Sequence, residues 1–215
     1  MEVNLDTYNH YRNCGDINRI LDNINTVYKD TLCCCHGKDH ALFVVDKVEY
    51  ILKSLSCDER TVELSKIAAF LHDIGNIGGR WEHARKSVGL AAVFLDNPPH
   101  ILRSEKETIL QAIEDHSKGE NITSAIGAAL LIADKMHISK QRIHPLEPMD
   151  NWHKNLLEVE EVKINISNKN ITIDCVTTEA FSKQLLLDEY PKALTIFDKA
   201  SAYLGCSCQL LFNGN

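Results

Sequence analysis

Apolar side chains recur at helical spacing through the first two thirds of the chain, and that period is the strongest constraint on its fold. Ala41, Val44, Val45, Val48, Ile51, Leu52 and Leu55 fall on one face, with Asp39 placed as N-cap of the helix that carries them. A second helix is expected from near Asp58, turning Leu64, Ile67, Ala68 and Leu71 inward and stopping at Gly75, Gly78 and Gly79. A third runs from about Glu82 to Leu95 and ends at Asn97-Pro98-Pro99. A fourth starts at Ser104, with Glu107 completing a capping box, and reaches about His116; a fifth covers roughly Ser124 to Lys140. After Pro148 the period changes. Val162-Lys-Ile-Asn-Ile and Ile171-Thr-Ile-Asp-Cys-Val alternate with period two around Ser167-Asn-Lys-Asn, the pattern of a β-hairpin. A helix from about Thr178 to Leu204 follows, and Gln209-Leu-Leu-Phe is suited to a third strand because a two-stranded ribbon alone is marginally stable. The expected fold class is mainly α. A helical bundle spans residues 1–150, and residues 151–215 add a small antiparallel β-hairpin or three-stranded sheet with a long helix, packed on the same unit.

Composition narrows what such a bundle does. The 215 residues are 44% hydrophobic and 25% charged with ten Gly and five Pro, which suits one well-cored unit and excludes disordered or collagen-like chains. A net charge of −7 argues against an extended nucleic-acid partner or a membrane surface held by a basic face. No apolar run of signal-peptide length opens the chain and none reaches about 18 residues later, so a cytoplasmic location is expected. In a reducing compartment eight Cys do not make a disulfide framework. Cys33, Cys34 and Cys35 lie too close together for ordinary zinc spacing even if Cys206-x-Cys208 joined them, and small packing residues are the simpler reading.

The ten His are another matter. Phe70-Leu71-His72-Asp73-Ile74-Gly75 puts a His-Asp pair at the C-terminal end of an apolar helix, where the helix dipole makes an unpaired carboxylate still less favourable. A bound cation resolves that cost, although an exposed pair at a fraying end would also. His40, His116 and Asp134 each lie on the apolar stripe of their own helix, and His83 lies at the edge of another. A single His on such a face is ordinarily a core residue. Six imidazoles and carboxylates on five helices facing one interior are not, because each desolvated polar group costs a few kcal/mol unless paired. Four imidazoles and two carboxylates without a thiolate suit Fe, Mn, Zn, Co or Ni rather than a Ca or Mg cage. Six donors exceed one open catalytic ion and match two divalent ions bridged by a carboxylate, roughly 3.5–4 Å apart.

His40, then His72-Asp73, then Asp134 within Leu131-Ile-Ala-Asp-Lys resemble, in order and in helix placement, the pattern of the HD-domain superfamily of metal-dependent phosphohydrolases. His83 and His116 resemble its binuclear subset. The resemblance covers about residues 35–140 and implies an HD-domain helical bundle. It also implies that His40, His72, Asp73 and Asp134 hold one ion and that Asp73 bridges to a second held by His83 and His116. The tail resembles that of uncharacterised bacterial members of similar length. Asn76 stands where the cyclic-dinucleotide phosphodiesterases carry Lys, and their Gly-Tyr-Pro motif is absent; the alarmone hydrolases have an acidic motif where residues 74–79 are uncharged here. Hydrolases of dinucleoside polyphosphates remain compatible.

The implied activity is cleavage of a phosphoester or phosphoanhydride bond in a nucleotide or small phosphorylated metabolite by a metal-activated water, with Asp73 and His72 as catalytic residues. Arg80, Lys86, Lys118, Lys135 and Arg142 are candidates for holding the phosphate, with the amides of Gly78 and Gly79. His36, His137, His144 and His153 have no matching partner pattern, and His36, one turn before His40, is the exception to watch. The rival readings are a mixed-valent di-iron oxygenase of the same superfamily and a regulatory module that binds nucleotide without turnover. The hairpin either covers a face of the bundle or pairs by its edge across a homodimer.

Overall fold

The computed structural model describes residues 7–28, 34–96, 101–119, 121–144 and 147–215. Cys33 and the Asn97-Pro98-Pro99 stop lie outside them. Among the described residues there are ten α-helices and, near the C-terminus, a three-stranded sheet: α1 Thr7–Arg12, α2 Gly15–Val27, α3 Lys38–Ser54, α4 Glu59–Leu71, α5 His83–Leu95, α6 Arg103–Asp115, α7 Ala125–Lys135, α8 Asn151–Leu157, α9 Lys183–Glu189 and α10 Pro191–Tyr203, with strands β1 Val159–Ser167, β2 Asn170–Thr177 and β3 Ser207–Phe212, the last two strands being separated in the chain by α9 and α10. The chain is mainly helical, as its periodicity requires. Among the described residues, no helix is long and apolar enough to cross a membrane.

At the centre is α7. Every residue from Ile126 to Asp134 is buried, and Gly127, Ala128, Ala129 and Ala133 let α3, α4, α6 and α10 approach closely. Asp134 is the one charged residue in that buried run. Around α7, the stripes of α3 (His40, Ala41, Val44, Val45, Val48, Ile51, Leu52) and α6 (Ile109, Ala112, Ile113) are buried as their spacing demands. Arg60 on α4 makes a two-pronged bond to Glu105 on α6 (2.8 and 2.7 Å), fixing the crossing of these helices.

Several boundaries differ from the sequence expectation for identifiable reasons. Gly37, not Asp39, caps α3: the side-chain carbonyl of Asn25 on α2 accepts from the free N–H groups of His36 (3.1 Å) and Gly37 (3.0 Å), a capping partner twelve residues away. Helix α6 is capped two residues earlier, at Leu102 rather than Ser104, and Glu105 rather than Glu107 closes the box by accepting the Leu102 N–H (2.8 Å). Helix α7 stops at Lys135 instead of Lys140, because the chain leaves it to bridge Ile143 to Cys34. The expected long helix over 178–204 is broken into α9 and α10 at Pro191, which lacks an N–H and turns Tyr190 out of helical geometry (φ −127°, ψ 49°). Helices α1, α2 and α8 have no counterpart in the expectation; Ile17, Leu21 and Ile24 make the buried face of α2.

The β-hairpin forms as expected, with Asn168 and Lys169 both at positive φ (49° and 59°) in a two-residue turn. β3 lies beside β2 but parallel to it, since α9 and α10 carry the chain back across the sheet. The register aligns Val162, Ile164 and Ile166 with Cys175, Ile173 and Ile171, and these with Phe212, Leu210 and Cys208, on one apolar face. β3 packs on α10, and α10 on α7. Cys175 and Cys208 therefore serve as small apolar residues, and the seven described cysteines are free thiols.

Candidate metal centre

Helix α4 ends at Leu71, leaving His72 as its C-cap and Asp73 at the entry to a short 3-10 turn over Ile74–Gly78. What delivers Asp73 to the rest of the site is a close approach by α5. A Cβ on Gly75 would stand 2.3 Å from the Ser87 nitrogen and 2.4 Å from the His83 carbonyl oxygen, so only glycine fits, and its N–H donates to Ser87 Oγ (2.8 Å). Gly75 thus secures packing to α5 rather than ending α4. His83 opens α5, and His116 caps the C-terminus of α6.

These side chains make two nests sharing Asp73. On one side, His40 Nε2 lies 3.2 Å from His72 Nε2 and 3.2 Å from Asp134 Oδ1, and both imidazole nitrogens lie 3.5 Å from Asp73 Oδ2. On the other, His83 Nε2 and His116 Nε2 are 3.2 Å apart and lie 3.6 and 3.4 Å from Asp73 Oδ1. All six residues are buried. The structure brings together His40, His72, Asp73, His83, His116 and Asp134 on the two sides that the resemblance implied.

The tautomers follow from the neighbouring carbonyls. Nδ1–H of His72 donates to the Ala69 carbonyl (2.7 Å), that of His116 to Ile113 (2.6 Å) and that of His83 to Arg80 (3.2 Å). A carbonyl only accepts, so Nε2 of each ring is a lone pair. Burial holds His40 and His72 below the ordinary imidazole range and lowers His83 to about 3, leaving these rings neutral. Burial by itself raises a carboxyl; around Asp73 the rings of His72 and His36 override it, and beside Asp134 the Lys135 ammonium (2.7 Å) does, so both stay well below the usual carboxylate range.

The donor set fits a pair of cations. His83 and His116 point two lone pairs at one another, an arrangement with no hydrogen bond to offer, and Asp73 Oδ1 between them is buried with no hydrogen-bond partner. Separations of 3.2–3.6 Å match the edges, about 3.0–3.4 Å, expected of donors bound about 2.1 Å from one centre. The neutral nitrogens and anionic oxygens suit a divalent transition metal.

Two further His complete the site. His36 Nδ1 donates to Asp73 Oδ2 (2.7 Å), and Arg142 Nη2 lies 2.9 Å from that nitrogen while Arg142 Nε holds the Cys35 carbonyl (3.1 Å). His137 Nδ1 meets His40 Nδ1 at 2.9 Å, and its ring stacks on Phe43. Their only sequence signal is proximity: one turn before His40 and three residues after Asp134. His144 is exposed, and His153 is bonded to Asp150 (2.8 Å).

A cavity of about 680 Å³ opens over the nests. Arg80, Lys135 and Arg142 line it; Lys86 and Lys118 do not, and the Lys86 ammonium is taken by the carbonyls of Gly78 (2.8 Å) and Gly79 (3.3 Å). Trp152 and Tyr190, from the C-terminal extension, line it too.

The family model for the HD domain matches residues 38–160, more than half of the chain and all six nest residues. The chain belongs to the HD-domain family. HD domains bind divalent metal ions, in keeping with the two nests. Among solved structures, one similar chain is a predicted HD superfamily hydrolase from an uncultured Thermotogales bacterium, 25% identical, with a TM-score of 0.44 over 56% of this chain and 66% of that one. This chain thus spans just under two thirds of that neighbour. No curated protein matches it.

Proposed function

We propose that this HD-family protein is a metal-dependent phosphohydrolase that cleaves a phosphoester or phosphoanhydride bond of a nucleotide or small phosphorylated metabolite. The observation that carries the reading is the shared carboxylate: Asp73 turns one oxygen to each of two donor nests at the floor of a cavity lined by Arg80, Lys135 and Arg142. Two divalent ions bound there supply Lewis acidity that makes water nucleophilic near neutral pH and charge that offsets the negative charge developing on phosphoryl oxygens.

The protein's own residues supply position. The carbonyls of Ala69, Ile113 and Arg80 fix the rings of His72, His116 and His83 with Nε2 inward, so no tautomer change precedes binding. His36 donates to Asp73 Oδ2 and steadies it, while Arg142 is anchored on the carbonyls of Cys35 and His137. Lys135 occupies Asp134 Oδ2 and leaves Oδ1 to the nest. Arg80 is exposed and lines the cavity with its guanidinium 3.4 Å from His36 Nδ1, within reach of phosphate oxygens, where a two-pronged bond is strong. A cytoplasmic setting belongs to the same proposal and is supported by the seven free thiols.

Release of inorganic phosphate from a panel of phosphorylated metabolites by Mn²⁺- or Fe²⁺-loaded protein tests the reading. Turnover that is lost with chelator and restored by metal is expected. Oxygen consumption without phosphate release would assign the site to oxygenase chemistry instead, and metal-free protein after purification without chelator would overturn both.

A further inference from the structure

The cavity is lined by two chemically different sets of residues. Arg80, Lys135 and Arg142 supply its cations, and the C-terminal extension adds Trp152 on α8 and Tyr190 at the break before α10, with Asp150, Asn151 and Glu189. Trp152 and Tyr190 stand 6.0 Å apart between ring centroids at an interplanar angle of 57°, a corner rather than a closed stack, and both are only half-buried. At about 680 Å³ the space falls within the range of pockets that enclose a whole small ligand, well beyond what a phosphate group fills. An anionic group fits over the nests. The extension's residues offer aromatic faces for a planar ring and carboxylate and amide oxygens for N–H and O–H donors.

We propose that the Trp152–Tyr190 corner binds the planar base of a nucleotide whose phosphate lies over the metal nests, which makes the substrate class nucleoside phosphates rather than sugar or polyol phosphates. This rests on the phosphohydrolase reading for the phosphate end. Pro191 is what makes the corner: it breaks the helix at Tyr190 and turns that residue into the cavity wall. Stacking of a base on an aromatic side chain is worth on the order of tenfold in affinity or more.

The experiment compares adenosine 5′-monophosphate with ribose 5-phosphate, which keeps the phosphate and sugar and lacks the base, using metal-loaded full-length protein and the variants Trp152→Leu and Trp152→Phe. In wild type KM is expected to be at least tenfold lower for the nucleotide. Trp152→Leu is expected to raise KM for the nucleotide about tenfold while moving that for ribose 5-phosphate less than threefold, with kcat little altered; Trp152→Phe, which keeps an aromatic ring, is expected to stay close to wild type. Equal KM values for the two compounds in wild type, or equal losses in the Leu and Phe variants, would overturn the base site. If neither compound yields phosphate, the phosphohydrolase reading fails for them and equilibrium dialysis decides the corner separately: binding of the nucleotide at least tenfold tighter than ribose 5-phosphate supports it, and equal or absent binding sinks it.

Discussion

Asp73 divides its two oxygens between the nests, and it is held in that role by His36 at 2.7 Å. Asp73→Asn is expected to lose bound metal and to lower turnover by more than the roughly hundredfold that bounds a supporting contact, with the helical circular dichroism retained; metal analysis beside the spectrum checks this. His36→Gln keeps the size of the residue but weakens the hold, and metal affinity is expected to fall about 10- to 100-fold; an affinity within threefold of wild type would remove His36 from the machinery. Protonation adds a pH dependence. In the fold His36 titrates at about 4 and His83 at about 3, against about 6.5 for a free imidazole. Below about pH 6.5 the unfolded chain therefore takes up protons that the fold refuses, so stability rises with pH across that window and is lost as pH falls. Asp73 and Asp134, depressed below the carboxylate range, act in the same direction at lower pH still. The thermal midpoint of chelator-treated protein is expected to be level above about pH 7 and to decline from 6.5 downward, and a midpoint that climbs on acidification would contradict the neutral-imidazole assignment.

At the scale of elements, the site depends on how α5 meets the turn after α4. Gly75→Ala forces a methyl against the backbone of Ser87 and His83, neither of which is a side chain that can swing away. A loss of about 2–3 kcal/mol is expected from overpacking alone, readable in urea melts, together with weaker metal binding, because α5 must carry His83 away from His116 to relieve the clash. Helix identities were legible from periodicity, as the stripes of α3 and α6 demonstrate. Ends with a local cap were legible too, as Asp58 and Ser124 at the starts of α4 and α7 show; the starts of α3 and α6 were not, because Asn25 caps α3 from twelve residues away and Arg60 fixes Glu105 on α6. At Pro191 the helical pattern of the flanking residues carried the expected helix across a residue whose missing N–H divides it into α9 and α10.

Across the whole molecule, α10 lies on the central helix α7, and β3 lies on α10, so the extension shares the core of the bundle. Ile196 and Phe197 are buried there, and the Gly119 region closes against Ile196. Calorimetry is expected to show one unfolding transition with equal calorimetric and van't Hoff enthalpies; two separable transitions would divide the chain near residue 150. The sequence by itself determined which residues face inward and which of them are polar, since periodicity fixes the buried face of a helix and burial makes each imidazole or carboxylate there costly without a partner. That was enough to single out His40, His72, Asp73, His83, His116 and Asp134. Only the tertiary structure decided how they divide between the oxygens of Asp73, that His36 braces that carboxylate, and that Trp152 and Tyr190 line the same cavity. Those relations join residues far apart along the chain, and local pattern carries no record of which distant surfaces pack together.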